Sequence, residues 1–175
     1  MKSNSELHHR KSIRIKNYDY SQAGYYYITI CSYNRNKLFG KIANGLMVLN
    51  GLGKIVEEEL LKTEEIRQYV NIDYYCIMPN HIHFILIINE NCMDIASRVP
   101  TESFGKPVHN SLPTIIRSIK SAITKRINEI RNTPGNSVWH HGFYEHIIRN
   151  EQELHEIRQY IENNPINWQN DEYRD

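Results

Sequence analysis

The sequence lacks the means to build a disulfide scaffold. Cys31, Cys76 and Cys92 are odd in number and widely spaced, which suits reduced thiols packed among apolar residues better than a stapled framework or a zinc cluster. It also lacks an apolar run long enough to span a bilayer, and the opening stretch "MKSNSELHHRKSIRIK" has no apolar core of a signal peptide. These absences lead us to expect a cytoplasmic protein without membrane contact. Net charge is nearly missing too, at +1. What is present, 175 residues of which 40% are hydrophobic, fits one globular domain over 1–175 able to bury its own core.

The small net charge hides an uneven distribution. Residues 1–16 carry Lys2, Arg10, Lys11, Arg14 and Lys16 against Glu6, and residues 112–131 carry Arg117, Lys120, Lys125, Arg126 and Arg131 against Glu129. Residues 150–175 reverse the sign, with seven acids against Arg158 and Arg174. Two basic stretches on a near-neutral chain can bind a polyanion locally, although solvated surface charge has the same composition.

Hydrophobic periodicity gives the order of elements. "GYYYITICSY" predicts a strand over 24–33, "LFGKIANGLMVL" a hairpin turning at Asn44-Gly45, and "GKIVEEELLKTEEIRQ" a first helix over 53–68. "YVNIDYYCIMP" predicts a strand whose tight turn at Pro79-Asn80 leads into "HIHFILII", so these two strands should be antiparallel neighbours. Residues 89–112 form a polar connection longer than compact domains usually carry, and we expect it to be mobile. Ile115, Ile116, Ile119, Ile123, Ile127 and Ile130 recur at helical spacing in a second helix, "VWHHGFYEHIIR" predicts a strand over 138–149, and Asn150 with Glu153 opens a third helix that Pro165 stops. Helices mixed irregularly with antiparallel strands argue α+β: a ferredoxin-like central antiparallel sheet with helices mainly on one face. The second and third helices are expected near the side that carries the chemistry.

That chemistry begins with "HIH". Side chains alternate along a strand, so His81 and His83 point the same way and two ring nitrogens converge on a rigid element. Two neutral imidazoles suit a divalent ion that needs at least one further ligand. His140, His141, His146 and His155 are all available, and spacing alone does not choose among them. On the last helix, Tyr160 and Asn164 are four apart and share a face beside the apolar stripe of Ile157 and Ile161. Tyr160 is therefore no plain core residue.

The segments "DYSQAGYYYITICSYNRNKLFG", "MPNHIHFIL", "IIRSIKSAITKRIN" and "FYEHIIRNEQELHEIRQYIENNPINW" together resemble the REP-associated tyrosine transposases, within the single-tyrosine transposases of the HUH endonuclease superfamily. The resemblance covers nearly the whole chain. It implies that His81 and His83 are metal ligands and catalytic residues, Tyr160 the nucleophile and Asn164 the third ligand, with Mg²⁺ or Mn²⁺ as cofactor. It further implies a single-strand DNA transposase that nicks and rejoins DNA near palindromic hairpins through a 5′-phosphotyrosine linkage, working as a monomer or homodimer. Arg149, which matches the block "HIIRN", becomes a candidate phosphate contact. Arg117 and Lys120 on the second helix and Arg10, Lys11, Arg14 and Lys16 in an N-terminal arm over 1–17 could hold further phosphates, and Tyr18, Tyr20 and Tyr25 could stack on unpaired bases. Two rivals remain at this point: a hairpin- or single-strand-binding protein of the same fold without turnover, and a hydrolase that uses His81, His83 and water.

Overall fold

The computed structural model describes residue 15, residues 18–90, residue 108 and residues 110–174. Nearly all of the expected basic arm, with Arg10, Lys11, Arg14 and Lys16, lies outside the described residues. So does most of the connection over 89–112, including Cys92.

The chain runs β1 (Gly24–Cys31), β2 (Gly40–Ala43), β3 (Leu46–Leu49), α1 (Gly51–Ile66), β4 (Val70–Ile77), β5 (His81–Ile88), α2 (Leu112–Arg131), β6 (Tyr144–Ile148) and α3 (Glu151–Asn163). Four strands form an antiparallel sheet in the order β4-β5-β1-β6, and β2 pairs with β3 apart from it. With that hairpin and α3 set aside, the order strand, helix, two strands, helix, strand is ferredoxin-like and α+β.

Local chemistry explains the boundaries. Asn44 (φ 53°) and Gly45 (φ 74°) both adopt positive φ, the conformation that a two-residue hairpin requires and that Asn-Gly accommodates best. The Asn50 side chain accepts from the N–H groups of Leu52 and Gly53 at 2.9 and 3.0 Å and starts α1. Asn150 caps α3 by accepting from Glu153 N at 2.8 Å, while the Glu153 carboxylate accepts from Arg149 N at 2.7 Å. Each such cap satisfies donors that a helix cannot satisfy internally.

The sheet has two different faces. Tyr26, Ile28 and Ile30 of β1 and Ile82, Phe84 and Leu86 of β5 pack with Val56 and Leu60 of α1 and with Ile115, Ile116, Ile119, Ile123 and Ile127 of α2. At about 1.5–3 kcal/mol for each buried isoleucine, this stripe is what fixes α2. On the opposite face Ile85 and Ile148 pack with Leu154 and Ile161 of α3. His81 and His83 alternate with Ile82 and Phe84 and so lie on the α3 face. The expectation that α2 and α3 both lie beside the histidines is corrected for α2, whose isoleucine stripe commits it to the other layer. Ion pairs clamp each layer: Arg126 to Glu58 and Glu59 across α1 and α2, and Arg158 to Asp73 between α3 and β4.

Two further expectations change. The strand over 138–149 divides, because Trp139 makes only an isolated bridge to Ser32 and Gly142 at φ 88° turns the chain before β6 begins. Tyr20 is 6% exposed and its ring lies 4.9 Å from that of Tyr18, so it belongs to the core and is not free to stack on bases. Tyr25 remains at the surface. Among the described residues, no helix is long and apolar enough to cross a membrane.

Candidate active site

Strand β5 is paired on both sides, with Cys31 of β1 opposite His81 and with Thr29 of β1 and Cys76 of β4 opposite His83. That rigidity holds the two imidazole centroids 4.5 Å apart, and both side chains are fully buried. Burial lowers the His81 pKa to about 3 and, with the neighbouring His81 charge, holds His83 well below the usual imidazole range. Both rings are therefore neutral at pH 7 and offer lone pairs.

Their partners orient those lone pairs. His81 Nδ1 lies 2.8 Å from Asn80 Oδ1, and an amide oxygen only accepts, so Nδ1 carries the proton and Nε2 the lone pair. His83 Nδ1 is engaged at 2.7 Å by the Tyr27 hydroxyl and at 2.9 Å by Thr29 Oγ1. Among the described residues, both Nε2 atoms are buried without a hydrogen-bond partner, as are Asp171 Oδ2 and Asn164 Oδ1. His81, His83 and Asp171 present ligand atoms all within 4.8 Å of one another, and His81 Nε2 lies 3.6 Å from Asp171 Oδ2. Lone pairs buried face to face with no proton between them are costly. A divalent cation would satisfy them together, so the donor set fits a metal.

Helix α3 brings the tyrosine to this cluster. The Tyr160 ring meets His83 edge-on with centroids 5.4 Å apart and Tyr27 at 6.2 Å, yet the residue is 43% exposed. Its phenol is pushed up by burial and by Asp171 and Glu172, whereas hydrogen bonding with Tyr27 and Asn164 draws it down. Asn164, 3% exposed, follows the last turn of α3 and lies close enough to His81 and Asp171 to raise the one and lower the other in pKa. The segment after α3 then closes over the histidines: Tyr173 lies 5.1 Å from His81 and 5.5 Å from His83 between centroids, and Asn80 Nδ2 donates to Tyr173 O at 2.7 Å.

No protein-family model matches the chain. An uncharacterized protein of Haemophilus influenzae is 38% identical over 175 residues, spanning 98% of this chain and 96% of that protein. The two chains belong to one family. Among solved structures, a REP-associated tyrosine transposase bound to a REP hairpin aligns with a TM-score of 0.57 at 18% identity, over 89% of this chain and 72% of that one. The present chain has the REP-associated tyrosine transposase fold.

Within that transposase fold, the residues singled out from the sequence divide into three groups. His81, His83, Tyr160 and Asn164 come together, and Asp171 joins them. The other candidate histidines stay elsewhere: His146 pairs with Glu153 at 2.6 Å, His155 Nε2 meets Gln159 Nε2 at 3.0 Å, and His140 and His141 line a groove beside α2. Arg149 is exposed beside the N-terminus of α3, and Arg117 is exposed on α2. Lys120 is not free, since its ammonium donates to the carbonyls of His140 and Gly142 at 2.9 and 2.8 Å and burial lowers its pKa to about 8. Cys31 and Cys76 are free thiols, and burial pushes Cys76 up to about 12. They are packing residues and not thiolate ligands.

Sequence reasoning missed Asp171, Asn80, Tyr27 and Thr29. For Thr29 and Tyr27 a signal existed, because polar side chains two apart on β1 share the face of the histidines on the neighbouring strand. Asp171 gave none, being one acid among seven in its stretch.

Proposed function

We propose that the chain is a metal-dependent transposase or nicking-joining enzyme acting on single-stranded DNA near palindromic hairpins, with Tyr160 as nucleophile. One observation carries this reading: a half-exposed tyrosine lies against the buried ring of His83, itself beside that of His81, and neither Nε2 atom has a partner among the described residues. Mg²⁺ or Mn²⁺ held by His81 and His83, with Asn164 and Asp171 as the oxygen donors, would offset the charge that builds on the scissile phosphate. Tyr160 attacks phosphorus, the phosphorus–O3′ bond breaks, and the phenol proton ends on the departing 3′-oxygen. The products are a 5′-phosphotyrosine linkage and a 3′-hydroxyl. One phosphodiester replaces another, so a second 3′-hydroxyl can reverse the step and join strands without ATP. Tyr27 and Asn164 steady the attacking oxygen, while Asn80 and Thr29 hold the imidazoles.

The partner we assign is single-stranded DNA carrying a hairpin; the fold relative was solved bound to a REP hairpin. Arg149 and Arg117 are available for its phosphates, and the whole chain acts as one unit in the cytoplasm. Incubation with Mn²⁺ and a panel of hairpin oligonucleotides labelled 3′ of candidate cut sites tests the proposal. A denaturant-resistant protein–DNA band is the expected result. A free 5′-phosphate without that band would instead favour a water-using nuclease, and intact DNA that is nevertheless bound would favour a binding module.

A further inference from the structure

A groove of about 1170 Å³ runs along the flank of α2 next to its isoleucine stripe, reaching Ile116, and is bounded across by residues 134–143. Among the described residues its cations are Arg117, Lys120 and Lys125, against a single carboxylate, Glu129. Arg117 and Lys125 are eight residues apart, so the row is about 12 Å long. Lys120 uses two of its three N–H groups on the carbonyls of His140 and Gly142, which anchors the far wall and leaves a third donor. Three aromatic rings line the same space. Tyr33 is 46% exposed, Phe143 is half-buried, and Trp139 is 6% exposed with no hydrogen-bond partner for its Nε1 among the described residues.

The groove adjoins the candidate active site. Cys31 pairs with His81, the next residue Ser32 bridges to Trp139, and Tyr33 N donates to Val138 O at 2.8 Å. A chain leaving the histidine cluster along the end of β1 therefore meets Tyr33 and the cationic row within two residues. A row of positive charge facing aromatic rings suits a backbone of phosphates with stackable bases better than it suits an acidic peptide, which has no planar faces to offer.

We propose that this groove is a binding site for unpaired nucleotides, in which a single strand of DNA stacks bases on Tyr33 and Phe143 and sets its phosphates on Arg117, Lys120 and Lys125. The site rests on the reading of the chain as a DNA-processing enzyme and adds to it the path taken by the unpaired strand beside the cut.

The test uses the full chain and a fluorescein-labelled single strand of about a dozen nucleotides, within the range of site sizes of single-strand-binding proteins, with the same sequence as duplex for comparison. Fluorescence anisotropy should give tighter binding of the single strand than of the duplex. Tyr33→Ala and the double variant Arg117→Ala/Lys125→Ala, all at exposed positions, should each weaken single-strand binding about tenfold. A strand containing 5-iodouracil should photocross-link to the peptides carrying Tyr33 or Phe143. Unchanged affinity in both variants, cross-links confined to other peptides, or equal binding of polyglutamate would overturn the proposal. The outcome is separable from that of the transesterification test: a Tyr160 adduct formed by a protein whose groove variants bind normally removes the groove alone, and loss of single-strand binding in the variants of a protein that forms no adduct keeps the groove and removes the nicking activity.

Discussion

Asn80 holds His81 Nδ1 at 2.8 Å with its amide oxygen while its amide nitrogen donates to the carbonyl of Tyr173 at 2.7 Å. One fully buried side chain thus sets the tautomer of a candidate metal ligand and fastens the segment that lies over it. Replacing Asn80 by Ala would strand a buried imidazole N–H and leave the Tyr173 carbonyl without this donor. The expected cost is about 2 kcal/mol, read as a lower midpoint in urea denaturation. A midpoint equal to that of the wild type would show that Asn80 does not fasten this segment.

Tyr160→Phe removes one oxygen and keeps the ring against His83 and Tyr27. Stability should change by less than about 1 kcal/mol, because the residue is half-exposed, and DNA binding should persist. Covalent capture of DNA should disappear. Mass spectrometry of the wild-type adduct should place the nucleotide on the peptide containing Tyr160; an adduct surviving in the Phe variant would move the nucleophile elsewhere.

The unpartnered nitrogens predict a metal response that needs no substrate. Mn²⁺ at a hundredfold excess over its dissociation constant should stabilise the fold by about 2.7 kcal/mol, seen as a rise in Tm. Asp171→Asn should weaken Mn²⁺ binding at least about tenfold by calorimetry, and His81→Ala should abolish the rise. A Tm rise of equal size in His81→Ala would place the ion at another site.

Acid should destabilise the protein earlier than carboxylate titration alone would. Burial lowers both imidazoles, His81 to about 3, whereas in the unfolded chain each titrates near 6.5. Between those values the unfolded state binds protons that the folded state refuses. Stability is therefore complete above about pH 6.5 and falls below it by up to about 1.4 kcal/mol per pH unit for each histidine. Denaturation midpoints measured from pH 7.5 to 5 without metal should show this slope, and His81→Asn should halve it. A flat profile would mean that the rings are not held neutral.

How far the sequence reaches depends on where each signal lies. The hairpin at Asn44-Gly45, the cap at Asn150 and the shared face of His81 and His83 follow from spacing over a few residues, and all three appear in the fold. The strand over 138–149 misled because β-branched and aromatic residues continue through it, and the break lies in the positive φ of Gly142. Tyr20 misled differently: an amphipathic tyrosine looks solvent-bound until a distant segment packs on it. Asp171 is the clearest case. Its approach to His81 depends on the path of residues 164–174 after α3, and no local pattern encodes that path.

The position of β5 between β4 and β1 carries a further consequence. Because successive side chains point to opposite faces, membership of the site is a matter of parity: every second residue of the strand belongs to it. Insertion of one residue between Asn80 and His81, or deletion of one from the turn before them, would present Ile82 and Phe84 to Tyr160 and bury the imidazoles among the isoleucines of α2. Substitutions around the site can be tolerated one at a time, but a shift in chain length there would exchange the two faces at once, so this stretch should drift in composition far more readily than in length.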